Sequence, residues 1–324
     1  MSEHEMADGM PKVIPPVLYK YRHFDERTVE LLCADTVYYA DPSTFNDPLD
    51  TKPCVEADCD VATMERTVYE LVRRRVEDEM QSGARAVKYR GPKTMAHIEK
   101  HSHAAAQRMI DGLRYDATDP ERCSDPPGPL ASVLAYAIER ELLKQYNKGI
   151  LSLATRYDCP LMWSHYGAQH RGICIGYSVP QEAQRQLHEV RYGGNRNVRA
   201  SAVAKMVLDR DEQARIAVDA AVLLRKAPDW HYEREWRLLG SRGVVDSPLE
   251  MAEIVFGMRC STTVMHAVAS ALSGRVKPVQ FYEMIEVRGT FELRRSELDV
   301  DELSAAYPRR ALSIFEEFDA LPGN

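Results

Sequence analysis

No apolar run in the sequence approaches the length of a membrane span. The opening stretch MSEHEMADGMPKVIPP is acidic and has no apolar core, so it does not read as a secretory signal. A basic excess is also lacking: 42 Lys and Arg against 49 Asp and Glu leave a net charge of −7. That balance argues against non-specific nucleic-acid binding as the main task, because such binding needs a basic face. Two basic clusters do occur, Arg73-Arg74-Arg75 and the stretch RYGGNRNVR with Arg191, Arg196 and Arg199. They read as a solvated helix face and a polar loop. The seven cysteines are odd in number and scattered. CVEADC (Cys54, Cys59) lacks a standard zinc spacing, so no structural zinc is expected and the thiols read as free in a reducing cytoplasm. Missing too are GxGxxG after a strand, GxxxxGK[ST], GxSxG and HExxH, the fingerprints of Rossmann dehydrogenases, P-loop NTPases, α/β hydrolases and zincins.

What remains is a 324-residue chain, 44% hydrophobic, long enough for one large domain. Residues 1–16 read as a flexible arm ending at Pro15-Pro16, and 17–324 as a single domain. VLYKYRHF (17–24) and TVYYADP (36–42) have the composition of strands, with a short capped helix from Asp25 between them. Residues 61–148 change character to helical periodicity and are expected to form a helical insertion. Strand patterns return at 149–154 and 172–179, with 160–170 expected to be helical and 200–226 one long helix. A strand is expected over 229–240, another over 249–257 and one or two over 276–294, with helical character over 301–320. Strands bracketing a helical block predict an α+β fold, a mixed or antiparallel β core carrying the insertion.

Four stretches combine polar and aromatic groups. In LYKYR, alternation puts Lys20 and Arg22 on one face of a strand and Tyr19 and Tyr21 on the other. That pair either grips a phosphate or ribose or snorkels from a surface strand. In FNDPLD, Asn46, Asp47 and Asp50 fit a turn, and also a sugar hydroxyl or an oxygen-ligated metal. In MWSHYGAQH, a helix would place Trp163, Tyr166 and His170 on one stripe, with His165 beside it, as core or as a wall for a heteroaromatic ring. In DWHYEREWRLLG, period two sets Glu233, Glu235 and Arg237 against Tyr232, Arg234, Trp236 and Leu238. Glu-x-Glu on one face is a salt-bridged surface, or a carboxylate pair that stabilises positive charge developing on a sugar.

Together LYKYR, ADPSTFNDPLD, PLMWSHYGAQHRGICIGY and YEREWRLL resemble uncharacterised bacterial family 2971 of the domains of unknown function. A basic first strand, a hydroxyl-bearing strand and a late Glu-x-Glu are similar, more distantly, to the Arg–Ser–Glu pattern of ADP-ribosyltransferases. That resemblance implies an ADP-ribosyltransferase-like fold acting on NAD as substrate, with no metal. It assigns the phosphate or ribose grip to Arg22 and the nicotinamide pocket to Ser152 with Thr155. Glu235 would hold the ribose 2′-hydroxyl and stabilise the oxocarbenium ion, Glu233 would orient the acceptor, and Tyr166 or His165 would serve as pocket aromatic. Further substrate contacts are expected from Lys20, Asn46, Asp47, Trp163, His170 and Arg237. The acceptor would be a protein or nucleic acid, no membrane is expected as a partner, and such an enzyme would suit a cytoplasmic toxin or antiphage effector. Two other readings stay open: a metal-dependent nuclease or phosphoesterase using Asp47, Asp50, His165, His170 and Glu235, and a non-catalytic binding module.

Overall fold

The computed structural model describes residues 13–89, 91–119 and 128–309. Residues 1–12 of the arm expected over 1–16, residues 120–127, and residues 310–320 of the helical stretch expected over 301–320 lie outside the described residues. The principal strands are β1 (Val17–Arg22), β2 (Lys148–Ala154), β3 (Ile173–Ser178), β4 (Leu187–Glu189), β5 (Glu235–Ser241), β6 (Glu250–Phe256), β7 (Gln280–Glu286) and β8 (Leu293–Glu297). The principal helices are α1 (Glu26–Ala34), α2 (Val61–Ala86), α3 (Thr94–Asp116), α4 (Pro129–Gln145), α5 (Pro160–His165), α6 (Glu212–Leu223) and α7 (Thr262–Leu272).

The eight strands make one mixed sheet in the order β8-β7-β6-β3-β1-β2-β5-β4. Neighbours are antiparallel except β6 and β7, which run parallel. A parallel pair needs a crossover, and α7 supplies it. The fold is therefore α+β, built on a mixed sheet. Alternation along β1 holds: Leu18 packs with Leu153, Ile175, Trp236 and Leu238 in one core cluster. Tyr19 and Tyr21 pack with Trp163 and Val255 in another. The helices expected over 61–148 form as α2, α3 and α4. Met64, Val68 and Leu71 of α2 and Leu134, Ile138 and Leu142 of α4 share a third cluster with Ile150 of β2 and Val218 and Val222 of α6.

Three local expectations need correction. The single helix over 200–226 is broken: a short helix, Ala200–Ala204, runs into a π-helical turn, Lys205–Asp209, and Arg210 then adopts a left-handed backbone with φ 56°. Asp211 restarts the chain as α6 by capping the backbone N–H groups of Gln213 and Ala214. The helix at 160–170 stops at His165, and Ala168, Gln169 and His170 all have positive φ. The strand expected from 229 begins only at Glu235, after a 3₁₀ turn, Pro228–Glu233. The pattern at 276–294 resolves as the two strands β7 and β8.

Candidate functional site

Strands β1 and β2 are neighbours, but a single residue pair registers them, Tyr19 with Ala154. A cavity of about 300 Å³ lies between these strands, lined by Tyr19, Lys20 and Tyr21 on one side and Ser152, Leu153 and Ala154 on the other. The polar loop after a short strand, Thr36–Tyr39, adds Phe45, Asn46 and Asp50, and Tyr166, Lys226, Glu233 and Glu235 also line the cavity.

The carboxylates meet there through a backbone device that period two does not anticipate. Glu233 ends the 3₁₀ turn, and Arg234 takes a left-handed conformation with φ 44° before β5 begins. Glu233 thus belongs to the turn and Glu235 to the strand, yet both reach the same ammonium group. Lys226 Nζ donates to Glu233 Oε2 at 2.5 Å and to Glu235 Oε2 at 3.1 Å, and lies 3.6 Å from Asp50 Oδ2. Arg237 stands behind this cluster, fully buried. Its Nε donates to Glu235 Oε1 at 2.8 Å, its Nη2 to Asp50 Oδ2 at 2.6 Å and to Glu235 Oε2 at 3.1 Å, and its Nη1 to the Leu223 carbonyl at 2.7 Å. Three carboxylates and two cations are almost completely withdrawn from water, and charges so placed are tolerable only when each is paired and hydrogen-bonded.

The two glutamates are driven apart in acidity. Burial pushes the Glu233 carboxyl up, the Glu235 charge adds to the rise, and Lys226 opposes it. Burial would raise Glu235 as well, but Arg237 and Lys226 overcome that and hold it well below the usual carboxylate range. Two carboxyl groups in one cavity with opposite tendencies provide a fixed anion and a proton carrier. The Tyr166 hydroxyl donates to Glu233 Oε1 at 2.8 Å and accepts from Asn46 Nδ2 at 3.3 Å. Burial, with the nearby Glu233 charge, keeps that phenol protonated. Lys20 Nζ donates to the Ser152 carbonyl at 2.9 Å, and burial pulls its ammonium down to about 8, with Arg22 acting in the same direction.

Of the residues singled out in the sequence, Tyr19, Lys20, Tyr21, Asn46, Asp50, Ser152, Tyr166, Glu233 and Glu235 line the cavity, and Arg237 supports it from behind. The others lie elsewhere. Arg22 is at the far end of β1, paired there with β3 through Ile173 and electrostatically near Tyr177 and Asp25. Thr155 follows the last residue of β2 and is not in the lining. Trp163 is completely buried, donates its indole N–H to the Tyr157 carbonyl at 2.7 Å and meets Tyr21 edge-on, so it is core rather than wall. The early end of α5 breaks the expected stripe: the His170 ring stacks on Trp163, and burial lowers its basicity. His165 is exposed beside Trp230. Asp47 accepts the Trp230 indole N–H at 2.8 Å, which ties the polar loop to the 3₁₀ turn.

Sequence reasoning missed Lys226 altogether and saw Asp50 as a turn former or as a ligand for a sugar hydroxyl or a metal, not as the buried partner of Arg237. It also missed Tyr192, whose hydroxyl accepts the backbone N–H of Glu235 at 2.7 Å. A lone lysine in LLRKAPDW carries no local signal; only the packing of the 3₁₀ turn against β5 makes it a hub. Among the described residues, no group of three or more His, Cys, Asp and Glu side chains is placed to hold a metal ion. The carboxylates that converge do so on Lys226 and Arg237, while His165 and His170 lie outside the cavity lining. No helix among the described residues is long and apolar enough to cross a membrane.

No curated protein and no solved structure matches the chain. A family model does: residues 162–238, from α5 through the 3₁₀ turn to Glu235 and Arg237, match the family described as Protein of unknown function (DUF2971), so the resemblance read from the motifs is shown over that segment.

Proposed function

We propose that this cavity is the active site of an ADP-ribosyltransferase-like enzyme that breaks the bond between nicotinamide and ribose in NAD. One observation carries the reading: Glu235, held ionised by Arg237 and Lys226, and Glu233, made the more basic carboxylate by burial, line one small cavity. In this chemistry the bond from ribose C1′ to the pyridinium nitrogen breaks, and its electron pair leaves with nicotinamide. The ribose becomes positively charged, and the fixed Glu235 carboxylate stabilises that charge as it develops. An acceptor O–H or N–H then bonds to C1′ and gives up its proton to Glu233, which burial makes more basic than an ordinary glutamate. Tyr166 orients Glu233 through its hydroxyl.

The grip on phosphate that the resemblance assigns to Arg22 passes to Lys20, the cation in the cavity lining that is not paired to a carboxylate. A cavity of about 300 Å³ is at the small end of ligand pockets, which suits the nicotinamide–ribose half of NAD with the adenosine half outside. The acceptor in this reading is a protein or nucleic-acid group or water, and NAD consumption of this kind would serve a toxin or antiphage effector.

The test is incubation of the purified protein with NAD labelled on adenine, with and without cell lysate, following released nicotinamide and the fate of the label. Wild type should release nicotinamide, and Glu235→Gln should lose at least about 100-fold of that rate while keeping its circular-dichroism spectrum. A folded Glu235→Gln protein with wild-type turnover, or NAD left intact by the wild type, overturns the reading.

A further inference from the structure

Asp50 closes the polar loop and is only 6% exposed. Its two carboxylate oxygens differ. Oδ2 accepts from Arg237 Nη2 at 2.6 Å and lies 3.6 Å from Lys226 Nζ. Oδ1 is equally buried and meets no hydrogen-bond donor among the described residues. A buried acceptor left without a donor is destabilising, and such groups in native proteins call for an explanation. Here the residue also lines the cavity that holds Glu235.

Asp50 and Glu235 are joined through one nitrogen. Arg237 Nη2 bonds to Asp50 Oδ2 at 2.6 Å and to Glu235 Oε2 at 3.1 Å. Two carboxylates fixed on the same N–H fork stand side by side, an arrangement that suits two hydroxyl groups on adjacent carbons. Open space also lies behind the loop that carries Asp50. Phe45 and Asp50 line a second cavity of about 290 Å³, which extends to Leu143, Tyr146 and Val222.

We infer that Asp50 Oδ1 accepts a hydrogen bond from the 3′-hydroxyl of the ribose whose glycosidic bond is broken, the adjacent hydroxyl falling to Glu235. The pocket then selects a sugar with its vicinal diol intact, and Asp50 sets that selectivity. This inference rests on the NAD reading but adds a requirement that reading does not make.

The experiment compares nicotinamide release from NAD and from its analogue lacking the 3′-hydroxyl on the nicotinamide-side ribose, in wild type and in Asp50→Asn. Wild type should lose about 10-fold or more in kcat/KM with the analogue, the scale of a hydrogen bond to a charged acceptor. Asp50→Asn should lose a similar factor with NAD and show no further loss with the analogue. Equal rates of wild type on the two substrates overturn the role of Asp50 and leave the NAD reading standing, and this arm does not depend on the folding of any variant. If NAD is not cleaved, the NAD reading falls, and the diol requirement is judged by ligand-observed NMR with ribose 5-phosphate and its 3-deoxy counterpart. Binding of ribose 5-phosphate alone, lost in Asp50→Asn, supports the inference; equal binding of the two sugars, or none, overturns it.

Discussion

The α2 helix and the β5 strand both pair glutamate with arginine, and the two pairings behave as different chemistry. On α2, Arg73 bonds to Glu70 at 2.8 Å and to Glu77 at 2.6 Å, with side chains 21–30% exposed. On β5, Arg237 bonds to Glu235 at 2.8 Å with side chains 0–4% exposed. Glu70 and Glu235 are even held down to the same acidity, about 2. The causes differ. Glu70 owes its value first to the Arg73 hydrogen bond, with modest burial working against it. Glu235 must first overcome a burial cost that would raise it. Water stands ready to replace Arg73 at Glu70, whereas burial keeps water from replacing Arg237 at Glu235. Equal acidity therefore says little about how much depends on a pair, and burial is what turns an ion pair into a site.

The sharpest way to break that comparison is to remove the arginines. Arg237→Met should lower the unfolding free energy in urea by about 3–5 kcal/mol, because Glu235 and Asp50 are left buried without their guanidinium. Arg73→Met should cost under about 1 kcal/mol. Equal losses would mean that β5 is no more than a shielded version of the helix surface.

Acid separates the pairs in a second way. Glu235 is depressed from an ordinary 4.5 to about 2, so its contribution is fully present above about pH 4.5 and is lost as pH falls through about 2. Salt near 1 M should shrink the corresponding contribution of partly exposed Glu70 and leave that of Glu235 nearly unchanged, as read from denaturation midpoints between pH 2 and 5. Glu233 carries the opposite sign. Its folded carboxyl binds a proton more tightly than the unfolded one, so its contribution is present below its unfolded value and disappears as pH rises through its folded value. Glu233→Gln should accordingly flatten the decline in stability just above pH 4.5. A slope unchanged by the substitution would remove the argument for Glu233 as proton carrier.

The smallest expected effect concerns Lys20, lowered from 10.5 to about 8. The folded protein binds fewer protons than the unfolded chain between those values, so stability should rise modestly with pH from about 8 to 10.5. Lys20→Met should abolish that rise. If it persists, the cation in the cavity is not desolvated.

Much of the architecture was legible before any coordinates. Period two in LYKYR separates Leu18 from Tyr19 and Tyr21, and helical periodicity over 61–148 locates α2, α3 and α4, because both are consequences of which side chains must leave water. The alternation of Glu235 and Arg237 against Trp236 and Leu238 is legible for the same reason. Local backbone signs were less so: the left-handed residues Arg210, His170 and Arg234 carry no glycine to announce them.

What the sequence by itself determined is the kind of side chain available and the face each would take within its own element: the tyrosines of β1, the carboxylate face of β5 and the apolar stripes of the helices. What only the tertiary structure decided is which of these meet. Lys226 and Glu233 are seven residues apart, but Asp50 and Arg237 are 187 apart, and their bond depends on how a loop before the helical block lies against a strand after it. The sheet order decided that Lys20, next to the single Tyr19–Ala154 pair that joins β1 to β2, lines the cavity, and that Arg22, at the end of the strand, does not. Hydrophobic patterning acts within an element and can be read locally. A buried charge cluster is a balance struck between elements, and it exists only where packing has removed the water that would otherwise satisfy each charge alone.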